Sequence, residues 1–178
     1  MTTSNYNLDR LSFLVIDDNA YMRRIIRSIL HGLGIRNVFD AEDGASGFEA
    51  MSHHNPDIVI LDMLMPIFDG IEFLNLIRTP TNEFAFIPII VVSAHLEKER
   101  VAAARNAGAN EFLAKPVSSD QMLNRIINII ENPRPFVNAT NYFGPCRRRT
   151  TIKRKGEERR LNDDEKYMVP MATQPQSQ

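Results

Sequence analysis

The sequence predicts an α/β fold: a doubly wound, five-stranded parallel sheet followed by a mostly irregular C-terminal tail. Three observations predict it. Strand-like and helix-like segments alternate five times between residues 10 and 131. That is the pattern of a parallel sheet with helices on both faces and right-handed crossovers. Two segments, Ile58-Val59-Ile60-Leu61 and Pro88-Ile89-Ile90-Val91-Val92-Ser93, are apolar without alternation, as strands buried on both faces are. The first of them ends on Asp62, and open α/β sheets hold ligands at the carboxyl ends of their strands.

Leu11 to Ile16 forms the first strand and ends in Asp17-Asp18-Asn19. Ile25, Ile26, Ile29, Leu30 and Leu33 then recur at helical spacing, with Arg23, Arg24 and Arg27 on the other side. Gly32 and Gly34 stop this helix. Val38-Phe39-Asp40-Ala41 is the second strand, Asp43-Gly44 a turn, and the helix with Phe48 and Met51 ends near Asn55-Pro56. After Asp62, Pro66 and Asp69-Gly70 make a loop. Ile71, Phe73, Leu74 and Ile77 mark the third helix, closed by Thr79-Pro80. The Pro88–Ser93 strand leads to a fourth helix from about Leu96 to Ala107, whose apolar stripe is weak: Val101 is its one large apolar residue after Leu96. Phe112-Leu113-Ala114 is the fifth strand. Ser118, Ser119 or Asp120 caps a last helix built on Met122, Leu123, Ile126, Ile127 and Ile130.

Composition divides the chain. Of its 21 Lys/Arg and 22 Asp/Glu, ten and five fall in 133–178, leaving eleven and seventeen in 1–132. An acidic body thus carries a basic tail, and such asymmetry points the tail at an anionic partner. The expected organisation is a flexible stretch over 1–9, a folded domain over 10–131 and a basic, largely disordered extension over 132–178, which has too few large apolar side chains for a core of its own. The single Cys146 excludes an internal disulfide and fits a reducing cytoplasm. The polar start, Met1 to Arg10, does not read as a secretory signal. No apolar run reaches the length of a membrane span.

The chemistry-bearing residues gather at strand ends: Asp17 and Asp18 after the first strand, Asp62 after the third, Ser93 after the fourth and Lys115 after the fifth. Three neighbouring carboxylates repel unless compensated. A hard divalent cation such as Mg²⁺ accepts a few carboxylates while keeping waters. Asp62 can then attack a phosphoryl group whose equatorial charge Mg²⁺ and Lys115 offset, with Ser93 donating to a third oxygen. Each residue also has a plainer reading: Asp62 a loop carboxylate, Asp17 or Asp18 a helix N-cap, Phe112 ordinary core, His53-His54 and His95 solvated surface, Cys146 an exposed thiol.

The motifs Val15-Ile16-Asp17-Asp18, Leu61-Asp62-Met63-Leu64-Met65-Pro66 with Asp69-Gly70, Val91-Val92-Ser93-Ala94 and Ala114-Lys115-Pro116 resemble those of the response-regulator receiver family, over residues 10–131. The resemblance implies a flavodoxin-like (CheY-like) sheet with strand order 2-1-3-4-5. It implies that Asp62 is the phospho-acceptor and that Asp17, Asp18, Asp62 and the Leu64 carbonyl bind Mg²⁺. Ser93 and Phe112 would be the switch pair, Lys115 the phosphate-contacting lysine, often followed by a cis peptide, and Leu64 and His95 the positions that tune phosphoryl lifetime. Phe112 stands where many members carry tyrosine, so no phenol hydroxyl is available to the switch. The implied partners are a histidine kinase or phosphotransfer protein and a downstream protein target, with the flagellar motor or another kinase as candidates. Output would pass through the fourth helix, fifth strand and fifth helix. Such a protein is no enzyme beyond catalysing its own phosphorylation and dephosphorylation. A haloacid-dehalogenase-like phosphatase wants a second acid two residues past the nucleophile, where Leu64 stands.

In the tail, aromatics interleave with arginines from Arg134 to Arg149. Arginine forks and aromatic rings suit phosphates and bases. Arg147, Arg148 and Arg149 are therefore candidates for anion binding. They resemble the arginine-rich extension of a CheY-like group that takes cyclic di-GMP. A nucleic-acid-binding adaptor, an acidic protein partner and a spacer are the other readings.

Overall fold

A computed structural model of the protein describes residues 7–94 and 97–147. Five parallel strands, β1 (Ser12–Ile16), β2 (Asn37–Ala41), β3 (Ile58–Asp62), β4 (Ile89–Ser93) and β5 (Glu111–Ala114), lie in the order β2-β1-β3-β4-β5. Five helices connect and follow them: α1 (Ala20–Gly32), α2 (Gly44–His54), α3 (Gly70–Ile77), α4 (Lys98–Asn106) and α5 (Ser119–Glu131). Every residue of β3 and β4 is buried, which is why these strands carry no polar alternation.

Successive strand residues point to opposite sides of the sheet, and two cores result. Leu14, Ile16, Val59, Leu61, Ile89 and Val91 meet Met51 of α2, Phe73, Leu74 and Ile77 of α3 and Ala104 of α4. Phe13, Val15, Ile58, Ile60, Ile90 and Val92 meet Ile26 and Leu30 of α1 and Met122 and Ile126 of α5. The sheet is thus wound on both faces, as the sequence predicts.

Helix starts follow capping chemistry. Asp43 with Ser46, Asp69 with Glu72 and Ser118 with Gln121 form reciprocal capping boxes at α2, α3 and α5. The exception is α4: Glu97 at its N-cap makes no side-chain cap bond, and Ala104 is its one buried residue. The weak stripe seen in the sequence is a weakly anchored helix.

The ends hold two features that the sequence does not reveal. Leu8, placed in a flexible N-terminus, is buried against the α1/α5 core. The extension, expected to be mostly irregular from residue 132, begins with an antiparallel hairpin, β6 (Phe136–Ala139) and β7 (Tyr142–Pro145). The hairpin packs on the domain before it. Phe136 is buried, and its ring lies 4.9 Å from that of Phe86 and 5.9 Å from that of Phe143.

Beneath the hairpin lies Arg78, a buried guanidinium at the end of α3. It donates to the carbonyls of Gly108 (3.0 Å), Ala85 (2.6 Å) and Ile87 (2.8 Å) and to Asn110 Oδ1 (3.0 Å). The Phe136 ring covers it at 5.3 Å. Burial pushes its pKa down to about 9, so the cation persists at neutral pH, answered by carbonyl dipoles and an aromatic face. Gly108 permits this arrangement. Its φ of +101° suits glycine, and a Cβ there would stand 2.6 Å from Arg78 Cγ.

Candidate phosphoryl-acceptor site

The site is built by register. Asp62 ends β3 and pairs with Val92, one residue before Ser93 on β4. Ser93 pairs with Ala114, one residue before Lys115 on β5. Asp17 and Asp18 follow directly on β1, the other neighbour of β3. The acidic pair, the Asp62 carboxylate, the Ser93 hydroxyl and the Lys115 ammonium therefore share one rim of the sheet.

Their geometry is close. The carboxylates of Asp17, Asp18 and Asp62 offer oxygens all within 4.8 Å of one another. Lys115 Nζ lies 2.7 Å from Asp62 Oδ1 and 2.9 Å from Asp17 Oδ2. Asp62 Oδ2 accepts from the backbone N–H of Leu64 at 2.9 Å, and Asp17 Oδ1 from that of Asn19 at 2.8 Å. Asp17, Asp62 and Ser93 are buried, whereas Asp18 is exposed. Burial raises the pKa of Asp62 above its ordinary 3.8, despite the opposing pull of Lys115. Burial also opposes the charge on Lys115, but its hydrogen bonds to Asp62 and Asp17 outweigh that and raise it above 10.5. One ammonium thus faces three carboxylates, an excess of negative charge that a divalent cation with oxygen preference fits.

Other predicted residues fall as follows. Leu64, two residues after Asp62, is 44% exposed. Phe112, half-buried on β5, packs with the α2/α3/α4 core. The Lys115–Pro116 peptide is cis. His95, Arg148 and Arg149 lie outside the described residues. Arg147 lies far along the chain from the rim residues; its guanidinium stacks over Tyr142 at 4.4 Å and donates to Asn106 Oδ1. His53 and His54 are both exposed, and His54 stacks on Phe39.

The alternative reading of Asp17 or Asp18 as the α1 cap is corrected. Asn19 is the N-cap, accepting from Tyr21 and Met22, which leaves both acids for the rim. Arg23, which the sequence places only on the polar side of α1, donates to the Asp17 and Asp18 carbonyls at 2.7 and 3.4 Å and pairs with Asp40. It holds the acidic turn from behind. Its signal was its place four residues after Asn19, one helical turn above that loop.

A family model for the response regulator receiver domain matches residues 13–127. The chain belongs to the response regulator receiver family. It is 30% identical over 121 residues to chemotaxis protein CheY-3 of Vibrio cholerae, covering 68% of this chain and 92% of that protein. It is likewise 30% identical to chemotaxis protein CheY of Pseudomonas aeruginosa, covering 68% and 97%. Among solved structures, the receiver domain of a Francisella response regulator aligns with a TM-score of 0.60 at 27% identity, covering 66% of this chain and 94% of that one. CheY4 of Vibrio cholerae aligns at 0.62 and 24%, a likeness of fold. The receiver match ends at 127, so the hairpin, and everything that follows it, stands beyond it. Among the described residues no helix is long and apolar enough to cross a membrane.

Gly70 lies hard against the backbone at Asp62. A Cβ on Gly70 would stand 2.6 Å from the Asp62 carbonyl oxygen and 3.0 Å from Met63 Cα. Both are backbone atoms that cannot swing away. Gly70→Ala is therefore expected to shift the main chain at Asp62, weakening Mg²⁺ binding and phosphoryl acceptance by at least about ten-fold, since misplacement on the ångström scale costs up to ~10²-fold. Calorimetry and a phosphorylation time course on the folded variant check this.

Proposed function

We propose that this response regulator accepts a phosphoryl group on Asp62 from a phosphohistidine donor, a kinase or phosphotransfer protein, and passes the change to a protein target. The observation that carries the reading is Lys115 Nζ, 2.7 Å from Asp62 and 2.9 Å from Asp17, beside the three-carboxylate cluster. Asp17, Asp18, Asp62 and the Leu64 carbonyl would hold Mg²⁺. When bound, that ion supplies charge to offset the phosphoryl oxygens.

A carboxylate oxygen of Asp62 attacks phosphorus. The P–O bond of an acyl phosphate forms as the donor's P–N bond breaks, and the leaving imidazole nitrogen takes a proton. Lys115 moves a hydrogen bond from the Asp62 carboxylate to a phosphoryl oxygen, and Ser93 donates to another. The added charge, about -1.5 to -2, favours an arrangement in which Ser93 closes on the phosphoryl group and Phe112 follows. The weakly anchored α4, together with β5 and α5, would then present a different face to the target. Beyond its own phosphorylation and dephosphorylation the protein is read as a switch. The chemotaxis relatives favour a target in that pathway, such as the flagellar motor.

The test is intact-mass analysis of the full chain with a small phosphoramidate donor. A gain of one phosphoryl group that requires Mg²⁺, disappears with chelator and is absent in Asp62→Asn supports the reading. Unchanged mass in Mg²⁺, or equal labelling of Asp62→Asn, overturns it.

A further inference from the structure

The hairpin brings the end of the described chain back to the α4–β5 face, where a groove of about 380 Å³ opens. Val101, Ala109 and Phe112 give it apolar walls, and Arg105, Arg134 and Arg147 converge on it. Glu111 also lines it but is already engaged, its carboxylate paired with Arg125 and Arg134 and accepting from Asn128. The groove is therefore cationic with an apolar floor. Arg105 is exposed on α4.

We propose that this groove is a docking site for the protein's own C-terminal segment 161–169, Leu161-Asn162-Asp163-Asp164-Glu165-Lys166-Tyr167-Met168-Val169. Chemistry and connectivity both select it. The segment holds three of the five acidic residues beyond residue 132, consecutive in sequence, flanked by Leu161 on one side and Tyr167-Met168-Val169 on the other. Its charges answer Arg105 and Arg147, the lining arginines not paired with Glu111, and its apolar flanks suit the wall formed by Val101, Ala109 and Phe112. Arg147, the last described residue, itself lines the groove, so the tether starts at the site. Asp163 is sixteen residues further on, which an extended chain could stretch over ~50 Å, far more than the return requires. A tether of such length presents its end at about millimolar concentration, so a weak contact suffices. Docked there, the segment covers Phe112 and the outer edge of β5. A protein target that uses this face has to displace it.

The test is made on the unphosphorylated full chain, so its failure leaves the phosphoryl-transfer reading untouched. A nitroxide is attached at Ala172→Cys in a Cys146→Ser background, and amide signals are followed in the ¹⁵N-labelled protein. Docking within the chain makes the Val101, Ala109 and Phe112 amides lose most of their intensity at any protein concentration, while those of β2 keep theirs. Arg105→Glu restores the lost intensity, and adding Asp164→Arg to Arg105→Glu removes it again. Added salt weakens the effect, because the charges lie at an exposed groove. Three results overturn the proposal: full intensity at the groove amides, loss only when labelled and spin-labelled chains are mixed, which assigns the contact to a second copy, or loss indifferent to Arg105→Glu.

Discussion

Phe136→Ala is expected to lower the unfolding free energy by about 3–5 kcal/mol, the range for emptying a buried aromatic site. The residue lies beyond the segment that the receiver match covers, yet it is 2% exposed. Its ring joins Phe86 and Phe143 and lies over the Arg78 guanidinium. Truncation there does two things: it removes apolar contact and it lets water reach a cation whose carbonyl partners are arranged for a dry site. Urea titrations of full-length wild type and variant measure the change as a shift in midpoint. Tyr142→Phe is the control: it removes a hydroxyl that donates to the Pro145 carbonyl and is expected to cost about 1 kcal/mol, the scale of one hydrogen bond. Equal midpoints for Phe136→Ala and wild type would mean that the hairpin is an ornament on an already complete receiver.

Lys115→Met is expected to act in opposite directions on two properties of the site. Phosphoryl acceptance falls by ~10²–10³, the scale of losing one charged donor at developing negative charge. Mg²⁺ binds about ten-fold more tightly, because the ammonium that competes for Asp62 and Asp17 is gone, and such a factor corresponds to a Coulomb term of ~1.4 kcal/mol. Calorimetry and the phosphorylation time course separate the two. The same variant carries a pH signature. The Lys115 pKa is raised in the fold, against burial, by its bonds to Asp62 and Asp17. Its stabilisation is thus fully present below 10.5 and is lost as pH rises through the raised value. Wild type should lose stability in that alkaline window and Lys115→Met should not lose this increment.

Much of this architecture was legible because burial on both faces leaves an unmistakable mark. Ile58–Leu61 and Ile89–Val92 have no polar alternation, and both turn out fully buried. The rim residues were legible for a related reason: once the strands are parallel, Asp17, Asp62, Ser93 and Lys115 must share an edge. What stayed hidden depended on contacts between distant segments. Arg78 reads as a charged residue ending a helix, and nothing local tells that carbonyls from residues 85, 87 and 108 will surround it. Glu111 likewise reads as a solvated start to an edge strand, but lies 3% exposed among Arg125, Asn128 and Arg134. In the sequence Phe136 and Phe143 read as aromatics interleaved with arginines, a pattern that suggests a ligand. Their structural role required Phe86, fifty residues away from Phe136, as a partner. The N-cap of α1 falls on Asn19 rather than on Asp17 or Asp18, the alternative reading, since all three are good cap residues and the choice is made by where the helix turns.

The central claim is that Asp62 is the atom source for the new phosphoryl bond. Borohydride reduces an aspartyl acyl phosphate to homoserine, so the protein is treated with phosphoramidate and Mg²⁺, reduced, digested and sequenced by mass spectrometry. The account predicts homoserine at position 62, present with Mg²⁺ and absent without it. Homoserine at Asp17, Asp18 or any other acid, or aspartate unchanged at position 62 in a sample that carries the added phosphoryl mass, would contradict it.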